Sequence, residues 1–349
     1  MSSGRADVLI TGGAGFVGTN LAERLLSEGR RVRVLDNLAR AGVEQNLRWL
    51  MARHPQAAVE IADVRDPAAL RRALHGVDHV VHLAAQVAVT TSVESPWDDF
   101  SVNLEGTLRL LEEVRRLPVP PSVLFTSTNK VYGTLPHLEL VRRGDRWEPV
   151  DPLVRETGLN EDLPLDFCTP YGCSKGGADQ YVLDAAKTFG IDTCVFRMSC
   201  IYGPHQHGTE DQGWVAHFLI RALAHEPVTL YGDGRQVRDL LFVEDLVNAM
   251  LATFERPKEL AGRAFVMGGG PATSLSLRET LELIGELTGD EPRVEYAPMR
   301  LGDQRWYVAD TSRFRAATGW EPTVDPERGI ERLHRWLVGG RQRRPLAAR

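Results

Sequence analysis

Short runs of apolar, mostly β-branched residues alternate with longer amphipathic stretches through the first two hundred residues of the chain. The apolar runs are typical of buried strands and occur at Asp7–Thr11, Arg31–Leu35, Val59–Ile61, Asp78–Leu83, Ser122–Ser127 and Thr193–Met198. Apolar residues at helical spacing predict helices at Val17–Glu28, Asp99–Arg116 and Tyr171–Phe189. This alternation predicts an α/β fold with a doubly wound parallel sheet.

The pattern becomes less regular after residue 202 and predicts four more helices: Trp214–His225, Val243–Phe254, Leu277–Thr288 and Pro326–Trp336. Ser276 with Glu279 has the spacing of a capping box, and Asp325 is an N-cap candidate before a proline. We expect a first domain of residues 1–202, with contributions from about 238–268, and a smaller C-terminal substrate-binding lobe of 203–237 and 269–338. Residues 339–349 are rich in Gly and Arg and are predicted to be a disordered tail.

Between the predicted strand Ser122–Ser127 and the predicted helix Tyr171–Phe189, the segment Thr134–Cys168 is long, charged and rich in proline. A stretch of this length without a periodic pattern is usually a functional lid or a disordered excursion. We therefore expect no regular structure here.

A glycine-rich sequence, GGAGFVG at 12–18, separates the first predicted strand from the first helix. Its glycines permit close backbone approach to a pyrophosphate, which the free N–H groups of the helix N-terminus attract. Asp36 follows about 20 residues later, where an acid binds a ribose 2′-hydroxyl. These features predict a Rossmann dinucleotide site with contacts from Gly12, Gly15, Phe16, Val17 and Gly18. The alternative is a glycine turn that only packs helix on sheet.

Asp36 favours NAD over NADP, because a carboxylate repels a 2′-phosphate, although nearby Arg40 favours the opposite choice. Other cofactor candidates follow the strand ends, where ligands bind in open α/β sheets. They are Asn37, Asp63, Val64, Leu83, Ala84, Ala85 and Gln86. Ordinary loop structure is the alternative for these residues.

Two separated segments, FTSTNKVYG at 125–133 and YGCSK at 171–175, supply groups for hydride transfer. The Thr128 hydroxyl can hold a substrate oxygen, and the Tyr171 phenol can remove its proton. Lys175 lies one helical turn beyond Tyr171 and so on the same helix face. An ammonium group near a phenol lowers the tyrosine pKa from about 10, and we expect a base that works near neutral pH.

The charge and hydrophobicity of the chain argue against nucleic-acid and membrane partners. The 349-residue chain has a formal net charge of −6 and no basic cluster in its body, which argues against a nucleic-acid partner. No apolar run reaches the roughly 18 residues of a membrane span, and the first residues lack a secretory pattern. We therefore expect a soluble, cytoplasmic protein without a membrane partner.

The four cysteines are Cys168, Cys173, Cys194 and Cys200, and they lack the paired spacing of a structural zinc site. We expect reduced, packed thiols. The histidines at 205 and 207 are weak candidates for metal binding, and we predict no metal.

With these residues, the chain resembles the extended short-chain dehydrogenase/reductase family of nucleotide-sugar enzymes. The resemblance rests on Gly12, Gly15, Gly18, Asp36, Thr128, Tyr171 and Lys175. Within the family it is closest to the CDP-paratose 2-epimerases, also called CDP-tyvelose epimerases. That likeness rests on QVAVTTS (86–92), STNKVYG (127–133), PYGCSKG (170–176), DQGW (211–214) and DQR (303–305), and it extends over about Asp7 to Leu337.

The resemblance implies that bound NAD⁺ accepts a hydride from C2 of a nucleotide-activated hexose or deoxyhexose while the tyrosine removes the hydroxyl proton. The 2-keto intermediate then turns over and receives the same hydride on its other face. NAD is therefore expected to be tightly bound and regenerated in each turnover. Family members usually pair through a helical bundle, which implies a homodimer or a higher homo-oligomer.

The same resemblance assigns the substrate contacts. Arg238 lies where family members commonly bind the nucleotide diphosphate, and a guanidinium fork suits that anion. The full set is Thr128, Asn129, Lys130, Cys200, Gln212, Gly213, Trp214, Arg238, Arg300 and Arg305. The alternatives are surface salt bridges for the arginines, a core position for Trp214 and a place at the site rim for Lys130. Thr134–Phe167 is expected to be a lid that selects the sugar.

The pair Asn129-Lys130 distinguishes reaction types. Nucleotide-sugar 4,6-dehydratases typically carry Asp-Glu directly after the threonine to eliminate water, and an amide and a cation stand there in this chain. The leading hypothesis is C2 epimerisation, and the nearest alternative is a 4-epimerase or another NDP-sugar oxidoreductase. A catalytically silent dinucleotide sensor on the same fold is a third reading, against which Thr128, Tyr171 and Lys175 argue.

Overall fold

The computed structural model describes residues 8–342. The strands are β1 (Val8–Thr11), β2 (Val32–Asp36), β3 (Ala58–Ile61), β4 (His79–His82), β5 (Ser122–Thr128), β6 (Leu140–Arg143), β7 (Arg146–Pro149), β8 (Thr193–Met198), β9 (Cys200–Tyr202), β10 (Val228–Tyr231), β11 (Val237–Phe242), β12 (Arg263–Met267), β13 (Ser274–Ser276), β14 (Val294–Ala297) and β15 (Trp306–Tyr307). The helices are α1 (Phe16–Ser27), α2 (Val43–Arg53), α3 (Pro67–Leu74), α4 (Val89–Glu94), α5 (Pro96–Phe100), α6 (Gly106–Arg115), α7 (Pro152–Thr157), α8 (Thr169–Phe189), α9 (Trp214–Leu223), α10 (Val243–Glu255), α11 (Leu277–Thr288), α12 (Ser312–Thr318) and α13 (Pro326–Gln342).

A seven-stranded parallel sheet in the order β12-β8-β5-β4-β1-β2-β3 forms the centre of the molecule. Apolar residues of α1 and α10 fill one face, and those of α3, α6 and α8 fill the other. The prediction of a doubly wound α/β fold is confirmed. All six predicted strands exist within one or two residues of their expected ends; Asp7, expected to begin the first, lies outside the described residues.

The chain leaves this sheet after β8 and forms smaller sheets beyond its carboxyl edge. Strand β11 pairs with β9, β13 and β15, and β10 pairs with β14. Helices α9, α11 and α13 pack against them around a separate apolar core. The predicted capping box is present at the start of α11, where Ser276 Oγ accepts from the Glu279 N–H and the Glu279 carboxylate accepts from the Ser276 N–H.

The expectation of an unstructured stretch at Thr134–Cys168 is wrong. Strands β6 and β7 form an antiparallel hairpin, and α7 follows it. Arg146 makes a forked ion pair with Glu279 of α11, and Trp147 Nε1 donates to Asp233 Oδ2 at 3.1 Å. Because charged side chains occupy both faces of the hairpin, its sequence lacks the apolar alternation by which strands are recognised.

Two further elements differ from expectation. The single helix predicted at Asp99–Arg116 consists of three consecutive segments: α5, a π-helical segment at Ser101–Glu105, and α6. The tail predicted from Gly339 begins as helix, since α13 continues through Gln342; the rest of it lies outside the described residues. Within residues 8–342, no helix has both the length and the apolar character to cross a membrane.

Candidate functional site

The glycine-rich loop between β1 and α1 forms a glycine cradle, which packs so closely against neighbouring backbone that a side chain at Gly12 or Gly18 would clash. Gly12 has φ +68°, and a Cβ placed there would lie 2.7 Å from the Ala84 nitrogen. A Cβ at Gly18 would lie 2.5 Å from the Gly12 carbonyl oxygen. Gly15 is the N-cap of α1, whose first residues are Phe16 and Val17. This cradle at a helix N-terminus fits a dinucleotide pyrophosphate.

Asp36 ends β2 beside this loop and is 9 % exposed. Its carboxylate accepts hydrogen bonds from the Ala14 N–H at 3.0 Å and from the Leu38 N–H at 2.8 Å. Burial raises the pKa of this carboxyl, while the backbone donors lower it. The acid therefore braces the glycine-rich loop and stands at its edge, where the sequence predicts the ribose contact.

The other predicted cofactor residues lie at neighbouring strand ends. Asn37 donates to Asp63 Oδ2 at 2.8 Å, and Arg65 forks onto the same carboxylate and lowers its pKa to about 2. The Val64 side chain is buried against Gly106. Leu83, Ala84 and Ala85 continue β4 past the glycine-rich loop, and the Gln86 side chain folds back onto the backbone of Ala88.

Thr128 and Tyr171 lie together at the carboxyl end of β5, and Lys175 lies beside the Phe125 side chain of the same strand. Thr128 is the last residue of β5, and the Tyr171 hydroxyl in the first turn of α8 hydrogen-bonds to it. Lys175 is 3 % exposed, and its ammonium lies 4.2 Å from the centroid of the Phe125 ring. The backbone N–H of Tyr171 donates to Ser92 Oγ at 3.2 Å, which fixes the first turn of the helix.

The expected lowering of the Tyr171 pKa is wrong for this arrangement. Burial has the largest effect and raises the pKa of Tyr171 to about 12, and the hydrogen bond with Thr128 opposes it. Burial also lowers the pKa of Lys175 to about 7, against the attraction of Asp179 and Asp99. The sequence argument considered the lysine charge and omitted the desolvation of both groups.

Lys130 and Arg238 come from different parts of the chain and share one carboxylate. Lys130 Nζ lies 3.2 Å from Asp303 Oδ1 and donates to the Gly302 carbonyl at 3.0 Å, and Arg238 donates to the same Asp303 oxygen at 2.6 Å. The two cations hold the pKa of Asp303 at about 2 against the effect of burial. Asn129 donates to the side chain of Gln304 at 3.1 Å.

The remaining predicted substrate residues line the second lobe. Cys200 in β9 hydrogen-bonds to Trp214, and burial raises the pKa of its thiol to about 12, so the thiol is protonated at neutral pH. Gln212 exchanges backbone hydrogen bonds with Thr209, and Gly213 takes a left-handed conformation as the N-cap of α9.

Arg300 and Arg305 do not join the Lys130 and Arg238 cluster. The Arg300 guanidinium lies 3.7 Å from the centroid of the Tyr231 ring and pairs with Asp211 at 3.2 Å. Arg305 lies 5.0 Å from the centroid of the Trp147 ring, next to the hairpin.

Comparison with known proteins places this site in a family. The NAD dependent epimerase/dehydratase family matches residues 8–268, which is most of the chain. The chain belongs to this family. It is 40% identical to a CDP-paratose 2-epimerase of Salmonella typhi, over 94% of this chain and 98% of the relative. It is 34% identical to a dTDP-glucose 4,6-dehydratase of Streptomyces griseus, over 94% and 93%.

The fold also matches solved members of the epimerase/dehydratase family. A UDP-glucose 4-epimerase of Thermus thermophilus, solved in complex with NAD, superimposes with a TM-score of 0.80 at 33% identity. The match covers 95% of this chain and 99% of that one. Because the glycine cradle and Asp36 are both in place, the chain has the groups with which a member of an NAD dependent family holds its cofactor.

Sequence reasoning missed two residues that organise the site of this epimerase/dehydratase family member. Asp303 joins Lys130 to Arg238, and Gln304, which is 0 % exposed, donates to the Gly133 carbonyl at 2.7 Å. Both belong to the DQR sequence at 303–305, from which only the arginine was selected. The signal was an acid and an amide beside that arginine, but nothing in the spacing indicates which distant cations the acid meets.

The histidines considered for metal binding have another role. His205 Nδ1 and His207 Nε2 both lie near Asn46 Oδ1, at 3.3 and 3.1 Å, and the His205 ring lies 4.1 Å from that of Trp49. Asn46 in turn donates to the carbonyls of Ala14 and His205. The loop after β9 is thereby tied to the glycine-rich loop. No group of three or more potential metal ligands occurs among residues 8–342.

Proposed function

We propose that this protein catalyses NAD-dependent C2 epimerisation of a nucleotide-activated hexose or deoxyhexose of the CDP-paratose and CDP-tyvelose type. The observation that carries the proposal is the arrangement of Thr128, Tyr171 and Lys175 beside a pair, Asn129 and Lys130, that is not the acid and base of a dehydratase. The 40% identity to a CDP-paratose 2-epimerase over nearly the whole of both chains supports the choice of carbon and sugar.

In this mechanism the protein holds the sugar and moves its hydroxyl proton. The glycine cradle and Asp36 would hold NAD, which in its oxidised form would supply a positively charged hydride acceptor. Thr128 binds the reacting oxygen, and Tyr171 takes its proton as the C2 hydride leaves. Lys175 supplies the positive charge that favours the phenolate. After the 2-keto sugar turns over, Tyr171 returns the proton as the hydride returns to the other face.

Lys130 is proposed to bind the sugar. Its ammonium is held by Asp303 and the Gly302 carbonyl at the same strand end as Thr128, one residue beyond Asn129. An ammonium donor there can hold a sugar hydroxyl, and Asn129 and Lys130 stand in place of the Asp-Glu pair that dehydratases typically carry after the threonine. We therefore infer epimerisation without dehydration.

The second lobe is proposed to hold the nucleotide diphosphate. Arg238 is 8 % exposed and is already oriented by Asp303 and the Gln304 carbonyl. Arg300 and Arg305, which contact Tyr231 and Trp147, extend the positive charge outward. Cys200, Gln212, Gly213 and Trp214 complete the proposed subsite at the N-terminus of α9. Thr134–Phe167, which contains the hairpin of β6 and β7, is proposed to select the sugar.

We also propose a homodimer that works in the cytoplasm. Exposed aromatic side chains gather on α5 and α8, where Trp97 is 72% exposed, Tyr181 49% and Phe100 39%. Trp97 and Phe100 stack with ring centroids 5.4 Å apart. Apolar side chains concentrated on two packed helices suit a bundle formed with a second copy of the chain.

The experiment that tests the activity follows CDP-paratose deuterated at C2 by proton NMR, with purified protein and no added NAD. Formation of CDP-tyvelose with deuterium retained at C2 would support a bound cofactor that returns the same hydride. Loss of deuterium to solvent would contradict the mechanism. Turnover of UDP-glucose to UDP-galactose instead, with CDP-paratose unchanged, would replace the proposal with the 4-epimerase alternative.

A further inference from the structure

A buried carboxylate lies beside the catalytic residues and has no place in the mechanism above. Asp99 belongs to the short helix α5 and is 0 % exposed, whereas its neighbour Asp98 faces solvent. Burial of an acid is costly unless hydrogen bonds or an opposite charge compensate it. The surroundings of Asp99 therefore indicate what holds it there.

Two hydrogen bonds fix the Asp99 carboxylate. Ser174, which directly precedes Lys175 in α8, donates its hydroxyl to Oδ2. Asn103 of the π-helical segment donates to Oδ1 at 3.0 Å, and its own Oδ1 accepts from the Gln86 N–H at 2.9 Å. The carboxylate thus joins α5 and the loop after β4 to the helix that carries Tyr171 and Lys175.

Burial raises the pKa of Asp99, while the hydrogen bond from Ser174 and the charge of Lys175 lower it. Within the described part of the chain, Asp99 forms no direct ion pair with a basic side chain, and Lys175 is the cation that acts on it. The other acid near Lys175 is Asp179, which is committed to a forked pair with Arg197 at 2.9 Å for both contacts. Asp179 attracts Lys175 more strongly than Asp99 does, but it shares its charge with Arg197. Asp99 is thus the second buried carboxylate near Lys175, and among the described residues it has no ion-pair partner of its own.

Other charged or titratable groups lie around this cluster, among them Arg65, whose guanidinium donates to Ser101 Oγ at 3.1 Å. Cys173 and Asp179 lie on α8, and neutral His82 on β4 lies within range of the Lys175 charge. Glu94 of α4 is exposed, and Glu105 of the π-helical segment is paired with Arg109 at 2.6 Å. Neither Glu94 nor Glu105 is therefore a buried, unpaired carboxylate of the kind that Asp99 provides near Tyr171 and Lys175.

We propose that Asp99 is a positioning residue that keeps Lys175 protonated in its buried site and sets the pH range in which Tyr171 and Lys175 work together. The inference rests on the proposed function, because it assigns the two groups their role in hydride transfer. An anion close to both groups makes each hold its proton more tightly. Burial has the largest effect on both pKa values; the charge of Asp99 opposes it at Lys175, together with Asp179, and adds to it at Tyr171.

The test compares Asp99→Asn with Asp98→Asn, which removes the same charge one residue away at the surface. Tyr171 is titrated in the NAD-loaded protein by the ultraviolet absorbance of tyrosinate, with Tyr171→Phe subtracted, and the pH profile of kcat/KM is measured alongside. In Asp99→Asn the Tyr171 titration and both limbs of the profile should move to lower pH by about one unit, the size expected for a charge a few ångströms away. Asp98→Asn should behave like the wild type.

If Asp99→Asn lowers kcat/KM but leaves both pH limbs of its profile where they are in the wild type, the proposal is overturned and the role of Asp99 is purely structural. A shift to higher pH would overturn it as well. If Asp99→Asn does not fold, Ser174→Ala provides a second test. Removal of that hydroxyl favours protonated Asp99, so the titration should move in the same direction by a smaller amount, and an unmoved titration would contradict the proposal.

The titration of Tyr171 needs NAD and no sugar. If every nucleotide sugar fails to react, the proposed epimerase function fails, while the effect of Asp99 on Tyr171 is still measured. If CDP-paratose turns over and the titration does not move, only the role of Asp99 is wrong.

Discussion

Two opposing effects act on the hydroxyl of Tyr171. Burial raises its pKa to about 12, while the hydrogen bond with Thr128 favours the phenolate. Burial also brings the pKa of Lys175 to about 7. The protein alone therefore leaves Tyr171 protonated at neutral pH, and the positive charge of oxidised NAD is the further contribution that would make it a base. The Tyr171 hydroxyl can therefore act as a base only when oxidised NAD is bound.

The first prediction concerns that oxygen. Tyr171→Phe should fold and retain NAD but lose about 10²- to 10⁴-fold in turnover, because the proton acceptor is gone. Turnover by NMR and NAD content after gel filtration check this. Tyr181→Phe on the exposed side of the same helix is the matched control, and near-normal turnover by Tyr171→Phe would refute the base assignment.

Lys130→Ala should lower kcat/KM for the nucleotide sugar by about 10- to 100-fold, the value of a lost charged hydrogen bond. NAD content should stay near that of the wild type, because the ammonium contacts Asp303 and the Gly302 carbonyl, neither of which belongs to the glycine-rich loop. Lys187→Ala, at the exposed end of α8, controls for the loss of a positive charge. Loss of NAD in place of substrate affinity would show that Lys130 belongs to the cofactor subsite.

His82 provides a pH prediction. Thr107 donates its hydroxyl to the Asn103 carbonyl, so it accepts from His82 Nε2–H, and His82 Nδ1 then accepts from Thr11. This network holds a neutral ring, and burial lowers the pKa of His82 to about 3. Since the unfolded chain takes up the proton near pH 6.5 and the folded chain does not, this stability is present above pH 6.5 and is lost as pH falls toward 3.

The expected loss is at most about 1.4 kcal/mol per pH unit. Urea unfolding of the wild type and of His82→Gln at pH 7 and pH 4.5 measures it, because glutamine can keep both hydrogen bonds but does not titrate. The variant should lose less stability across this interval. Equal losses would show that His82 is not the group responsible.

Among the elements, those that the sequence predicts are those with a periodic apolar face. Six of the seven strands of the central sheet and the helices α8 to α11 are predicted in this way, and the capping box at α11 has its own local signal. The edge strand β12 is not predicted. The hairpin of β6 and β7 has no such pattern, because it is held by charged contacts such as Arg146 with Glu279. These form only once the second lobe has folded.

The same reasoning separates what was predictable in the site. Thr128, Tyr171 and Lys175 follow from short motifs on predictable elements. The meeting of Lys130, Arg238 and Asp303 depends on three loops that converge in space, and no local spacing encodes it. The sequence predicts a lowered pKa for Tyr171, whereas burial raises it. Burial depends on the folded chain and cannot be seen in a local motif.

The glycine-rich loop gives an element-scale prediction. Gly18→Ala should lower NAD retention and cost roughly 1–3 kcal/mol of stability, since its Cβ would lie 2.5 Å from the Gly12 carbonyl oxygen. Gly285→Ala in α11 is the matched control, because its Cβ meets Pro292 at an ordinary 3.4 Å. Thermal unfolding and NAD content check both variants. Unimpaired NAD binding by Gly18→Ala would contradict the close approach of α1 to this loop.

At the scale of the whole molecule, the exposed aromatic side chains on α5 and α8 predict association. Trp97→Glu should shift the proposed dimer toward monomer in light scattering, because it places a charge in the apolar bundle. Val119→Glu, which changes a 78% exposed residue in the loop before β5, should leave the mass unchanged. A wild-type protein that is monomeric across the concentration range would contradict the proposal.

The path of the chain between its sheets bears on how such a protein can acquire a new substrate. Strand β11 belongs to the smaller sheet. The chain then continues through α10 to β12, which is the edge strand of the central sheet. After β12 it returns to the smaller sheet, where β13 and β15 pair with β11. A single genetic crossover would therefore exchange parts of both sheets together, and the substrate-binding half cannot be inherited as a separate module. Changes of specificity are expected to arise by substitution in the loops that carry residues such as Lys130 and Asp303, within an uninterrupted scaffold.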